Sequence, residues 1–150
     1  MIHFVDFEPK HAIGLRVQPG QEAEGHDAQS WSVEDWRAYA CGAIEALSAM
    51  LDGECIGVCF LRRLWAGRGE FQLLLGHRVG AIEMLAIHRK AKELLDVVAA
   101  KHGLRRIETV VRTSFEQGHR WAEMLGFDSE GLLRRYAPDG SDYTMYSRLT

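Results

Sequence analysis

The chain has 150 residues, 47% of them hydrophobic, and a formal net charge of -3. That length and apolar content predict one globular domain, residues 1–150, with a core of its own. Eighteen basic residues against 21 acidic ones, with no long lysine or arginine run, exclude the strongly basic face of a nucleic-acid binder.

The opening MIHFVDFEPKHAIG has neither the basic start nor the apolar stretch of a secretory signal, and nowhere do ~18 consecutive apolar residues occur. A soluble, cytoplasmic protein without a membrane partner is expected. After a first strand and helix, the polar segment QPGQEAEGHDAQS, residues 18–30, reads as a mobile loop. Ser32 followed by Asp35 forms an acidic variant of the helix-capping box, and SVEDWRAYACG makes a short helix that ends at Gly42. AIEALSAML and ECIGVCFLRRLW then form a hairpin, because Asp52-Gly53 between apolar runs favours a tight turn with positive φ. A strand period of two places Cys55 and Cys59 on one face as small buried thiols. With three cysteines and no Cys-x-x-Cys or His-x-x-x-His spacing, no metal site is expected.

AGRG, residues 66–69, turns into the strand EFQLLL, after which Met84, Ile87, Ala91, Leu94, Leu95 and Val98 recur at helical spacing up to Gly103. RRIETVV reads as a strand and FEQGHRWAEMLG as a helix stopped by Gly126. GLLRRYA and DYTMYSRL close the chain as a hairpin around PDG. The order is β, α, α, β, β, β, α, β, α, β, β.

The closing segment RWAEMLGFDSEGLLRRYAPDGSDYTMYSRL resembles the ending of the GNAT superfamily of acyl-CoA-dependent N-acyltransferases, a helix closing in Leu-Gly-Phe before a hairpin that turns at Asp-Gly. The likeness runs from about residue 43 onward; the first third shares only the order of elements. It implies a mixed α/β fold, a central twisted sheet of about six to seven strands flanked by about four helices. It also implies a chemistry. A splayed parallel strand pair would hold the pantetheine arm of acetyl-CoA, and amides before the central helix would take the pyrophosphate. The amine of a small molecule or protein would attack the thioester.

Leu75, Gly76, His77, Arg78, Val79 and Gly80 are the cofactor-binding candidates, since they lead from a strand into a helix start, where unpaired N–H groups and the helix dipole favour anions. The family's phosphate loop reads Gln/Arg-x-x-Gly-x-Gly/Ala, and two registers compete. Counted from FQLLL, His77 replaces Gln/Arg, Gly80 matches, and Ile82 stands where a small residue belongs. Counted back from Leu94-Leu95, Ala86 and Arg89 replace the first two motif residues and Ala91 matches. His77 and Arg78 add cations able to pair a phosphate.

The family's tyrosine, four residues before the glycine of Leu-Gly-Phe, is Ala122 here, and Thr113-Ser114 stands in place of an asparagine. Glu70 and His119 are the catalytic candidates that remain, with Tyr143 and Tyr146 behind them. Their plainer readings are a strand-edge carboxylate, a surface histidine and half-buried tyrosines. Trp65 is expected as a pocket wall, and Trp31, Trp36 and Trp121 as core or rim. HRKAKE, residues 88–93, reads as the solvated face of the central helix.

The layout FQLLL, a loop without the glycine motif, HRKAKELL and RWAEMLGF is also similar to GNAT-type proteins of tailed phages, among them internal core proteins. That second resemblance implies a non-catalytic structural protein with virion partners, located in the virion. Fold alone does not choose between the two, because function lives in the site.

Overall fold

The structure, a computed structural model, describes residues 1–21 and 30–150. Most of the expected loop 18–30 therefore lies outside the described residues. Seven strands make one mixed sheet in the order β1-β2-β3-β4-β5-β7-β6. In chain order the elements are β1 (His3–Asp6), α1 (Pro9–Ile13), α2 (Val33–Cys41), β2 (Ala43–Leu51), β3 (Glu54–Trp65), β4 (Arg68–Leu75) and α3 (Ala81–Glu93). A π-helical turn (Leu94–Val98) and α4 (Ala99–Lys101) continue α3, and β5 (Arg106–Arg112), α5 (Glu116–Met124), β6 (Asp128–Leu133) and β7 (Tyr143–Leu149) complete the chain. All neighbouring strands are antiparallel except β4 and β5.

Local chemistry explains the joints. Asp52 and Gly53 both take positive φ (51° and 81°), the mirror-image turn that matches strand twist. Ser32 accepts from the Asp35 N–H at 3.2 Å while the Asp35 carboxylate accepts from the Ser32 N–H at 2.8 Å, so the acidic box closes both ways. Gly103 and Gly126, at φ 69° and 89°, end their helices in the left-handed region.

The sheet separates two apolar layers. On one face α1 and α2 cover Val58, Phe60 and Leu74, with Trp36 stacked on Phe60 at 6.0 Å. On the other, α3 and α5 cover Leu61, Phe71, Ile107 and Val111 through Ile87, Leu94, Leu95 and Leu125. Each such fully buried side chain contributes roughly 1.5–3 kcal/mol of transfer free energy.

The cysteine expectation fails here for a physical reason. The β2–β3 register passes from Ala49↔Gly57 to Met50↔Cys55, so β3 bulges by one residue at Ile56 and its alternation flips. Cys59 packs in the α3 layer and Cys55 in the α2 layer. Burial raises the pKa of both thiols. Among the described residues, no group of three or more His, Cys, Asp or Glu could hold a metal ion, and no helix is long and apolar enough to cross a membrane.

Candidate active site

The parallel strands β4 and β5 pair only over Arg68–Glu70 and Arg106–Glu108. Beyond Glu70 they diverge, and the gap widens into a cleft of ≈ 550 Å³. Its floor is apolar, with Phe71, Leu73 and Leu75 from β4 facing Thr109 and Val111 from β5. One wall is the start of α3 (Val79, Gly80, Ala81, Met84) and the other is α5 (Gln117, Gly118, Arg120, Trp121). Trp121 also donates from its indole N–H to His88 of α3 at 3.0 Å, tying the walls together.

A diverging strand leaves backbone groups on its edge that must find other partners. Gly76 donates to the Ile56 carbonyl of β3 at 2.7 Å, so the preceding N–H, that of Leu75, points the other way, into the gap. Gln21 meets it there. Its side-chain oxygen accepts from Leu75 at 2.9 Å, its NH₂ donates to the Leu73 carbonyl at 2.9 Å, and the residue is buried. Gln18 adds a backbone bond to the Leu75 carbonyl at 2.8 Å. This role had no periodic signal, since a single glutamine in a polar stretch looks like any loop residue.

The six loop candidates are divided by the fold. Leu75 and Gly76 are buried, and His77 donates its backbone N–H to Arg16 at 2.9 Å. The Arg78 guanidinium is paired with Glu54, on the side of the loop away from the cleft lining. Val79 and Gly80 line the cleft. Gly80 caps α3, and the half-buried Glu83 reaches back so that its carboxylate accepts from the Gly80 N–H at 3.0 Å. Ile82 points to solvent, 79% exposed. The second register is ruled out: Ala86, Arg89 and Ala91 lie inside α3, where backbone amides are already bonded within the helix.

Glu70 and His119 are not brought together. Glu70 is not at a sheet edge; it lies between Arg62 of β3 and Glu108 of β5, where the β4–β5 pairing ends. By strand alternation it faces the α2 side, opposite Phe71 and Leu73. Tyr39 of α2 stands near it, with the Arg62 guanidinium 3.9 Å above its ring and its hydroxyl on Gln72. Burial and then the Glu70 charge raise the pKa of both Tyr39 and Tyr136. His119 lies on the other face. The Thr113 carbonyl accepts from its Nε2 at 2.9 Å, so in the neutral ring Nδ1 accepts from the Tyr146 hydroxyl at 2.7 Å.

Three aromatic expectations are corrected. Trp65 sits 61% exposed at the β3–β4 turn under the Arg68 guanidinium at 3.9 Å, and Trp121 is the tryptophan that lines the cleft. Tyr143 and Tyr146 are not half-buried but 1% and 3% exposed, because β7 is an interior strand between β5 and β6.

No family model and no curated protein matches the chain in sequence. Its structure is similar to that of Ard1 from Thermoplasma volcanium, with a TM-score of 0.78 at 12% identity over 99% of this chain and 97% of that one. The acetyltransferase of the GNAT family from Streptococcus pneumoniae gives a TM-score of 0.69 at 18% identity, covering 99% of both chains. The ribosomal-protein-S18-alanine N-acetyltransferase from Escherichia coli gives 0.70 at 14% identity, over 99% of this chain and 94% of that one. None of these three is a virion protein, so the phage resemblance gains no support from them. Strand order, the β4–β5 divergence and these likenesses agree that the chain has the fold of the GNAT acetyltransferases.

Proposed function

We propose that the chain is an N-acetyltransferase that moves an acetyl group from acetyl-CoA to an amine. The observation that carries this reading is the divergence of β4 and β5, which opens an apolar-floored cleft ending at the first turn of α3. Its ≈ 550 Å³ falls within the roughly 300–1,000 Å³ of small-ligand sites. The residues fit the long arm of acetyl-CoA: apolar side chains for its methylenes, and the Leu73 carbonyl and Leu75 N–H for its amides. At the far end Ala81, Ile82 and Glu83 supply first-turn N–H groups that a helix itself leaves without acceptors.

Bound acetyl-CoA supplies an acetyl thioester, the electrophile. The chain's own part is then positioning and proton handling. The walls of α3 and α5 hold the thioester, and the amine meets it from the Glu70 face where the strands part, so that the two react in one fixed geometry. Glu70, on the face opposite the cleft floor and at the point where the strands part, accepts a proton from the incoming ammonium so that it attacks as a free amine. Ala122 offers no acid to the departing sulfur. The sulfur departs as a thiolate, which at an ordinary thiol acidity near roughly 8.5 needs no acid beside it, and the second proton, shed by the amine nitrogen as the C–S bond breaks, reaches that sulfur through solvent. His119 and Tyr146, turned toward each other and Thr113, are left outside this scheme.

The test is amine-dependent release of free thiol from acetyl-CoA, with the product weighed by mass spectrometry. Arylalkylamines, polyamines, amino acids and peptides with free N-termini form the panel. Acetylated product from one class supports the reading; thiol release no faster than hydrolysis across the panel contradicts it.

A further inference from the structure

Two side chains of this protein already make the bonds that an extended, amide-bearing anionic ligand would make in the cleft. At the floor, the Gln21 carboxamide accepts from Leu75 and donates to Leu73, both at 2.9 Å, as one more strand would. At the far end, the Glu83 carboxylate holds the Gly80 N–H at 3.0 Å, a negative charge at the helix start where a diphosphate would settle. A methyl group built on Gly80 would stand only 2.8 Å from that carboxylate oxygen, so the carboxylate closely covers the cap. Arg78 of the loop is committed to Glu54, and among the described residues that line the cleft Arg120 of α5 is the cation.

We propose that Gln21 and Glu83 are the affinity-setting residues of the cleft: Gln21 competes with the amides of the ligand's arm, and Glu83 competes with its diphosphate. The inference rests on the acetyl-CoA reading above. The two competitors act on different parts of the ligand, and that separates them experimentally. The single Leu75 N–H cannot be given to the Gln21 oxygen and to a ligand amide oxygen at once, and the Gln21 NH₂ stands where a ligand N–H would reach the Leu73 carbonyl. A carboxylate and a diphosphate at one helix start repel each other, and that repulsion weakens with salt.

The experiment measures binding of two probes, CoA and pantetheine, to the wild-type protein and to Gln21→Ala and Glu83→Ala by calorimetry. Gln21→Ala is expected to bind both probes about tenfold more tightly, the factor equivalent to 1.4 kcal/mol. Glu83→Ala is expected to tighten CoA by a similar factor at low salt, to lose that gain at about 1 M salt, where the screening length is roughly 3 Å, and to leave pantetheine unchanged. Should Gln21→Ala fail to fold, the wild type still reports: its Gln21 side-chain NH₂ resonances must move toward solvent-exposed values as pantetheine is added. Equal affinities in all three proteins, weaker binding by the variants, or unmoved Gln21 resonances at saturation would overturn the proposal while leaving the acetyl-CoA reading intact. No binding of either probe to any of the three at millimolar concentration would instead sink the functional reading, and this inference with it.

Discussion

Replacing Gly118 by alanine is a direct probe of how α5 builds its wall of the cleft. A Cβ there would stand 2.6 Å from Phe115 Cδ2 and 2.7 Å from Val111 Cγ1. The Phe115 ring can turn aside. Val111 is β-branched, 6% exposed and fixed in β5, so α5 must move away from the sheet by several tenths of an ångström to reach ordinary contact. Overpacking of this kind costs about 1–3 kcal/mol. Against it stands the helix preference of alanine over glycine, about 1 kcal/mol. The balance predicts a variant less stable by ~1 kcal/mol, and a weaker grip on acetyl-CoA, because Gln117, Arg120 and Trp121 move with the helix. Urea unfolding followed by tryptophan fluorescence measures the first effect and calorimetry the second. A variant more stable by the full helix-preference gain, with unaltered binding, would refute the packing of α5 on β5 argued above.

Three further outcomes follow from the same geometry. Glu70→Gln is isosteric and faces the side opposite the cleft floor, so turnover should fall by about 10²–10⁴-fold with the acetyl-CoA dissociation constant unchanged; unaltered turnover removes Glu70 as the base. Ser48 is fully buried with its hydroxyl 2.7 Å from His11 Nδ1, so Ser48→Ala should cost about 1 kcal/mol in urea unfolding, and a neutral result would show that this bond contributes nothing. Stability should also fall in two steps as pH drops, followed by melting temperature. Burial depresses the His11 pKa, so the unfolded chain gains a proton that the fold resists, and stability begins to fall as pH passes below the ordinary histidine value of roughly 6.5. Glu108 follows: burial pushes its carboxyl up, but Arg68 at 2.5 Å and Arg106 at 2.9 Å outweigh that and leave it below its ordinary value. Its contribution is whole above roughly pH 4.5 and is lost below, and Glu108→Gln should make that second step shallower without removing it, since Glu130, Asp139 and Asp96 are also held below their ordinary values.

The order of elements was legible because the joints carry strong local chemistry. Ser32 and Asp35, Asp52-Gly53, Gly103 and Gly126 each allow one conformation more readily than others, and the long apolar strands run between them. The sequence predicts a strand at 131–137, whereas β6 is Asp128–Leu133, because an edge strand exposed along most of its length shows no alternation to read. A register slip between Ser129 and Gly131 blurs it further, and Arg135 turns the chain with φ at 52°. The bulge at Ile56 was invisible for a related reason: Cys55, Ile56, Val58 and Cys59 are all apolar enough for either face.

The sequence marks the strand-to-helix junction, but not which of its side chains face the cleft. Of the cofactor-binding candidates at the strand-to-helix junction, Val79 and Gly80 line the cleft, whereas His77 and Arg78 turn to Arg16 and Glu54, partners distant in sequence. Residue type alone points to Glu70 and His119, and only the sheet, with its two faces, shows that they stand on opposite sides. Gln21 and Glu83 gain their meaning from long-range and capping contacts that no spacing announces.

Binding of acetyl-CoA to the native chain is the property on which the proposed function most directly depends. Calorimetric titration, with melting temperature followed in parallel, should give one site per chain and, at a hundredfold excess over the dissociation constant, about 2.7 kcal/mol of added stability. No heat and no shift in melting temperature at millimolar acetyl-CoA, for the wild type and for the Gln21 and Glu83 variants alike, would contradict it.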